Sequence, residues 1–396
     1  MFRFLTAGES HGPALLAILE GLPAGLPLDR AAIDADLRRR QGGYGRGGRM
    51  KIEHDTVELL SGVRHGHTLG SPVTLRIENR DWANWTERMS PDPVPPDAGP
   101  ATPHEIVTRV RPGHADLTGA LKYGRADVRE VIERASSRET AARVAVGAVC
   151  RQLLGAFGVA LHSHVVSVGG VGYAAQERPD PGSADATFWE RVEASAMRCA
   201  DAELTARMIA RIVEGKRDGD TCGGVFEVVA TGVPVGLGSY SQWDRRLSAR
   251  IGQALLSIPS AKGVELGGGF ALADLPGSRV HDVVRYDAQR GWVHLTNAAG
   301  GIEGGISNGE PIVARVALKP IPTLAHPLPS VDVATGESVA VTRYERSDVC
   351  VVPAAGVVGE AMLAIVLADA WIEKFGGDSL DELRRNVEGY LATLER

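Results

Sequence analysis

The spacing of apolar and polar positions changes period repeatedly along the chain. Phe2–Thr6 predicts a short strand, and Pro13–Leu22 a helix, since proline suits a first helical turn. Asp29 caps a helix over Arg30–Gln41, while Thr56–Leu60 and Val73–Ile77 have strand character. The clearest helix start is Ser136-Ser137-Arg138-Glu139, where Ser136 and Glu139 have capping-box spacing. Ala141, Val144, Ala145, Ala148, Val149 and Leu153 then recur at helical intervals. Further on, Asp201–Glu214 reads as a helix, Gly223–Ala230 as a buried strand, Ser248–Ile258 as a helix and Gly267–Gly269 as a loop. Val313–Leu318 is a strand ended by Pro320. Val357–Phe375 is a long apolar helix stopped by Gly376, and Ser379 with Glu382 caps a last amphipathic helix to Leu394. Strands and helices mix without regular βαβ alternation, which favours α+β over a doubly wound sheet. No internal repeat is visible.

Composition narrows the class. Of 396 residues, 44% are hydrophobic and 23% charged, as in soluble globular chains. Lys+Arg 43 against Asp+Glu 49 gives a net charge of −6, which excludes a globally basic nucleic-acid binder but not a local basic site. The 48 glycines lie in clusters, not at a fixed period, so a collagen-like reading fails. Four widely spaced cysteines, Cys150, Cys199, Cys222 and Cys350, form no CxxC and no disulfide framework. Glu9 and His11 interrupt any signal-peptide core in MFRFLTAGESHG. The longest apolar run, Ala361 to Ala368, is too short to span a bilayer. The expectation is a cytoplasmic protein with neither membrane nor nucleic-acid partner.

Some motifs tempt and fail. Gly8-Glu9-Ser10-His11-Gly12 fits the nucleophile elbow G-x-S-x-G, but almost no chain precedes it to supply an oxyanion loop. Gly43-Tyr-Gly-Arg-Gly-Gly48 contains G-x-G-x-x-G, but it follows a helix where the dinucleotide fingerprint follows a strand. A P-loop is absent. His65-Gly-His67 and His162-Ser-His164 could each face one way on a strand, but no ligand set surrounds either pair in sequence. They read as structural or surface histidines, and no metal is expected.

Arg38 to Lys51 carries six basic residues and no acid. It could be a solvated loop, an RGG-like nucleic-acid contact, or a site for a multiply charged small anion, since arginine forks clamp carboxylate and phosphate while glycine admits close backbone. The theme returns in Arg109-Val-Arg111-Pro-Gly-His114-Ala-Asp116. It returns again in Arg134 and Arg138 around the Ser136 helix start, in Lys319-Pro-Ile-Pro-Thr323, and in Arg346-Ser347-Asp348. If these segments converge, histidines and a carboxylate among arginines suit acid–base chemistry on a phosphorylated, carboxylated substrate.

Taken together, the ordered stretches resemble the chorismate synthase family. They are FLTAGESHG (Phe4–Gly12), RRQGGYGRGGRMKIE (Arg39–Glu53), GSPVTLRIENRDW (Gly70–Trp82), RPGHADLTGALKYG (Arg111–Gly124) and RASSRETAARVAVGA (Arg134–Ala148). KGVELGGGF (Lys262–Phe270), GGIEGGISNGEPI (Gly300–Ile312), KPIPT (Lys319–Thr323) and RSDVCVVPAAGVVGE (Arg346–Glu360) continue in family order. The resemblance implies one domain over residues 1–396 with an α+β fold, a β-α-β sandwich whose helical core lies between antiparallel sheets. It implies loss of phosphate and a C6 hydrogen from 5-enolpyruvylshikimate-3-phosphate in an anti-1,4-elimination that yields chorismate, the last step of the shikimate pathway toward aromatic amino acids. That reaction requires reduced FMN (FMNH2) without net redox change. By motif, His11 would be the acid toward the departing phosphate, His114 would protonate or steady the reduced flavin, and Asp348 would relay a proton at flavin N5. Arg40, Arg46, Arg49, Arg111, Arg134 and Arg346 would hold substrate anions. Arg134, Ala135, Ser136, Pro259, Ser260, Gly304, Lys319, Pro320, Ile321, Pro322, Thr323 and Arg346 would contact the flavin. Arg40 and Arg46 are also associated with NADP in the family. Glu303 and the Pro259-Ser260 pair depart slightly from the family pattern. The family assembles as a homotetramer. With no added reductase domain, this chain resembles the monofunctional kind, taking reduced flavin from an external reductase, with NADPH an indirect reductant.

Overall fold

The computed structural model describes residues 2–47, 54–93, 106–174, 177–289, 291–339 and 348–394. Two antiparallel sheets enclose a layer of helices. The first sheet has the order Arg3–Ala7, Ala14–Glu20, Val73–Glu78, Val57–Ser61. The second has the order Ala261–Leu266, Ile312–Leu318, Gly224–Thr231, Ala160–Val168, Val171–Gly172. Helices α1 (Arg30–Gln41), α2 (Asp116–Tyr123), α3 (Arg129–Ala135), α4 (Thr140–Gly155), α5 (Ala186–Ala194), α6 (Ala202–Arg217), α7 (Leu247–Leu256), α8 (Val352–Phe375) and α9 (Leu380–Leu394) complete the regular elements that position the site. α4 backs the first sheet and α8 the second, and the two helices pack on each other at the centre. The α+β class read from the sequence pattern and the sandwich implied by the family resemblance are the architecture observed.

One expected helix is a strand. Within Ala14–Glu20, Leu15, Ala17 and Leu19 are buried while Leu16 and Ile18 are exposed, a period of two. Ala17 lies between Thr6 and Leu75, so the segment is an interior strand and its alternation outweighs the helix-opening Pro13. The expected caps Asp29 and Ser379 accept from the Ala31 and Glu382 N–H groups, and Asp201, read as the first helical residue, caps its helix instead by accepting from Leu204 N–H. Ser136 caps a 3₁₀ turn at Ser137–Glu139 instead, and Glu139 turns to Arg143, so its capping box is half formed.

The Ala361–Ala368 run is the middle of the 24-residue α8, which is long and apolar enough to cross a membrane by length and composition alone. Here 94% of its most apolar window is buried inside the protein, which makes it the core helix. It carries one deeply buried acid. Glu360 accepts from Arg39, Arg151, Arg198 and the Ser163 hydroxyl. Burial works to raise its carboxyl, and the charges of Arg39, Arg151 and Arg198 overcome this and bring it down to about 2. The anchored Arg39 ties the C-terminal end of α1 to the centre of the protein.

Candidate active site

A cavity of about 340 Å³ opens where α1, α3 and the starts of α4 and α8 meet the turns at residues 111–115 and 319–323. Each wall is built by local chemistry. After the first strand, Gly8 adopts φ +108°, where a Cβ would lie 2.4 Å from the Ala14 carbonyl, so only glycine lets the chain fold back here. The turn docks on α3: Ser10 N–H donates to the Glu133 carbonyl at 2.9 Å and His11 N–H to Glu133 Oε2 at 2.8 Å. His11 Nδ1 lies 2.9 Å from Glu133 Oε1 and 3.0 Å from Oε2. The far face of the imidazole stacks on Trp85, with ring centroids 3.8 Å apart and planes at 22°. Arg129 closes the ring of contacts, with its guanidinium over Trp85 and Nη1 3.3 Å from Glu133.

The glycine-rich segment lies along the 348–353 stretch. Val349 N–H donates to the Gly45 carbonyl at 2.8 Å, and a Cβ at Gly45 would meet the Cys350 Cβ at 2.9 Å. This brings Arg46 Nη1 to 2.8 Å from Asp348 Oδ2, some 300 residues away in sequence, while Gly47 N–H donates to Asp348 Oδ1 at 2.5 Å. Arg40 is buried at the same wall. Its Nε donates to Thr140 Oγ1 at 2.9 Å and Nη2 to the Ser137 carbonyl at 3.0 Å. Arg138 forks onto Asp55 at 2.5 and 2.8 Å. Among the described basic residues of this segment, Arg38 is exposed, while Arg39, Arg40 and Arg46 turn to partners within the protein, and neither a solvated loop nor a polyanion face describes those three.

On the opposite wall two turns are stitched together. Arg111 donates from N–H, Nε and Nη2 to Asp116, and from Nη1 to Thr323 Oγ1 at 3.1 Å. Lys319 Nζ donates to the Gly113 carbonyl at 2.5 Å. Asp116 Oδ1 lies 2.5 Å from His114 Nδ1. Burial pushes the Asp116 carboxyl up, but the hydrogen bonds from His114 and Arg111 hold it well below the usual carboxylate range. Burial acts likewise on Glu133, and His11 with Arg129 pulls it lower. Burial, then Lys262, lowers Lys319.

Of the residues expected in the site, His11, Arg40, Arg46, Arg111, His114, Ala135, Ser136, Pro259, Ser260, Lys319, Ile321, Pro322, Thr323 and Asp348 line this one cavity. Three others lie elsewhere. Arg134 turns away to the carbonyls of Gly8 and Thr6, where it braces the turn that carries His11. Gly304 is exposed in the tight hairpin of Ile302–Glu303 and Ile306–Ser307. Pro320 is not among the lining residues, and its backbone nitrogen lies where a Cβ on Gly223 would come within 2.8 Å. Arg49 and Arg346 lie outside the described residues. Residues near the site that were not assigned to it from the sequence are Glu133, Arg138, Asp55 and Trp85. Of these, Arg138 had a signal in the sequence, as a cation at a helix start. The histidine pairs are structural: His67 Nδ1 meets the His65 carbonyl, His162 stacks on Trp189, and buried His164 meets Glu227 at 2.9 Å. Among the described residues no cluster of three or more His, Cys, Asp or Glu could hold a metal ion.

The arrangement can bind several anionic groups at once and move protons among them. The family model described as chorismate synthase matches residues 2–372. A chorismate synthase of Symbiobacterium thermophilum is 56% identical over 394 residues, covering 100% of both chains. One of Geobacter metallireducens is 56% identical over 399 residues, covering 99% of this chain and 98% of its own. A crystal structure of chorismate synthase matches with a TM-score of 0.80 at 44% identity, covering 100% of this chain and 98% of that one. With the family model spanning most of its length and relatives matching it throughout, this chain belongs to the chorismate synthase family.

Proposed function

We propose that the protein converts 5-enolpyruvylshikimate-3-phosphate to chorismate with reduced FMN. The observation that carries this is the convergence on one cavity of two carboxylate-backed histidines and the cations Arg40, Arg46, Arg111, Arg138 and Lys319, drawn from segments far apart in sequence. The substrate has two carboxylates and a phosphate, and FMN adds another phosphate. A chain of net charge −6 still sets these five cations around one cavity, which suits such ligands.

The cavity's donor set also fits the flavin. Gly113 has φ +80°, and a Cβ there would meet Lys319 Nζ at 3.3 Å, so the glycine keeps room beside the cation. Ala135, Ser136, Pro259, Ser260, Ile321, Pro322, Lys319 and Thr323 would hold it, the last two as a phosphate seat. When bound, reduced flavin would supply transient electron density to the substrate ring and a base for the C6 hydrogen.

The chain's residues do the rest. Arg40, Arg46, Arg111 and Arg138 clamp the anions, with Arg49 and Arg346 as further clamps. His11 gives a proton to the departing phosphate as the C3–O bond breaks. His114 would stand beside the reduced flavin to supply it a proton or steady its charge, and Asp348 would relay a proton while aiming Arg46. In sum the C6 hydrogen is lost as a proton and phosphate takes the C3–O electron pair, so no net oxidation occurs. NADPH would act as an indirect reductant through an external flavin reductase, with Arg40 and Arg46 its family-associated contacts.

We read the chain as a single domain, because one buried cluster runs from Phe2 to Val387. We read it as a homotetramer, supported by exposed apolar side chains such as Leu5 at 74% and Trp292 at 68%. Four buried free cysteines suit a reducing cytoplasm. The test is anaerobic turnover of 5-enolpyruvylshikimate-3-phosphate with chemically reduced FMN. Chorismate and phosphate should appear in equal amounts, and neither should appear with oxidised FMN. Net oxidation of the substrate would replace this reading with an ordinary flavin oxidoreductase.

A further inference from the structure

Both cavity histidines have the same support: a carboxylate on Nδ1, itself buried and clamped by an arginine. Glu133 sits on α3 and is paired with Arg129, while Asp116 opens α2 and is paired with Arg111. Glu133 is 2% exposed and Asp116 is fully buried. We propose that Glu133 and Asp116 are positioning residues that lock His11 and His114 in the tautomer protonated at Nδ1, so that each ring exchanges its working proton through Nε2. The proposal rests on the reading that these histidines move protons in the reaction above.

The donor inventory supports it. An ionised carboxylate only accepts, so a ring nitrogen within 3.0 Å of it must carry the hydrogen. Both Glu133 oxygens lie within that distance of His11 Nδ1. At His114 a competing contact exists, since Arg111 Nη2 lies 3.2 Å from Nδ1 and could donate only to an unprotonated nitrogen. A lone pair facing Asp116 Oδ1 at 2.5 Å with no hydrogen between them would be repulsive. Arg111 Nη2 has Oδ1 itself as an acceptor at 3.1 Å, so Nδ1 keeps the proton. The depressed carboxyl groups of Asp116 and Glu133 agree with this assignment. Trp85, flat against His11, keeps that ring from swinging off its carboxylate. A histidine held this way takes a proton and returns it at the same atom, and the carboxylate behind it steadies the imidazolium formed in between.

The test uses the full chain with ¹⁵N-labelled histidine and no ligand, at a pH above histidine titration. His11→Ala and His114→Ala assign the two signals. In the wild type both rings should show a protonated Nδ1 and a pyridine-type Nε2. Glu133→Gln should switch only the His11 signal, and Asp116→Asn only the His114 signal, toward the other tautomer. Turnover in each should fall by about 100-fold or more, as when the orienting carboxylate of a catalytic triad becomes an amide, with KM little changed. A wild-type ring protonated at Nε2, or amide variants with unchanged signals, would overturn the proposal. The wild-type spectrum decides even where a variant fails to fold. If the wild-type spectrum is as expected but the protein makes no chorismate, the tautomer assignment stands and the proposed reaction falls.

Discussion

Asp348 pairs with Arg46 at 2.8 Å through one carboxylate oxygen and accepts the Gly47 N–H at 2.5 Å through the other. A carboxylate thus stands on the wall of a cavity lined by Arg40, Arg46, Arg111, Arg138 and Lys319. It aims the arginine, and it also repels the anionic groups that the arginine would hold.

These two effects predict opposite changes in Asp348→Asn. Losing the ion pair and the proton-relaying group should lower kcat by about 100-fold, within the usual range for an acid–base group. Removing the repulsion should leave the substrate KM unchanged or lower. Steady-state kinetics separate the two. A raised KM with normal kcat would mean that Asp348 serves binding alone.

His11→Ala and His114→Ala should each lower kcat by about 10²–10⁴. Both side chains face the cavity and not the core, so the folded structure should persist. Glu133 would keep the His11 backbone N–H and Arg129, and Asp116 would keep the Arg111 contacts. The stability loss should then stay near 1–3 kcal/mol, the cost of an under-satisfied buried acceptor. Chorismate formation and thermal unfolding, measured together, check both halves. Normal turnover in both variants would defeat the assigned roles.

The sequence showed most of the helices through local signals, because a cap or a 3.6-residue stripe depends on neighbours. Asp29 and Ser379 are of this kind. It misjudged Ala14–Glu20 because this strand is apolar on its exposed face as well as its buried one, so it carries the same apolar run as a helix, and strands from both sides decide the matter. The arginines and histidines of the cavity stand in dense motifs and were visible. Their supports were not. Glu133 precedes a motif as an ordinary acid, and Trp85 lies in a segment without period, so what each touches is set by tertiary packing alone. Arg134 and Arg138 show the limit: both flank Ser136, yet one braces the His11 turn and the other lines the cavity.

Glu360 should make stability fall in acid. Its carboxyl is brought from 4.5 down to about 2 by folding, so its contribution is complete above about pH 4.5 and is lost as pH falls toward 2. The amount is roughly 3 kcal/mol at 1.36 kcal/mol per unit. Glu360→Gln leaves buried Arg198 and half-buried Arg39 and Arg151 without their shared anion, and should cost roughly 3 kcal/mol at neutral pH. Denaturant midpoints of the two proteins should converge between pH 4.5 and 2. A constant gap across that range would mean that the loss comes from packing and not from charge.

Two glycines in helices should respond to alanine with opposite signs. Alanine is intrinsically better in a helix by about 0.8–1 kcal/mol. At Gly252, in α7, an added Cβ meets nothing within 4 Å, so Gly252→Ala should stabilise by up to about that amount. At Gly147, in α4, the Cβ would lie 2.3 Å from the Ala361 Cβ and 2.4 Å from its Cα, in α8. Neither neighbour is a flexible side chain that can swing aside, so the helices themselves must separate. α4 backs one sheet and α8 the other, and the separation would strain the whole sandwich. Overpacking of about 1–3 kcal/mol or more should outweigh the helix preference and make Gly147→Ala destabilising. Urea unfolding of both variants against the wild type checks the pair. A stabilised Gly147→Ala would show that the central helix contact has slack that the sandwich does not need.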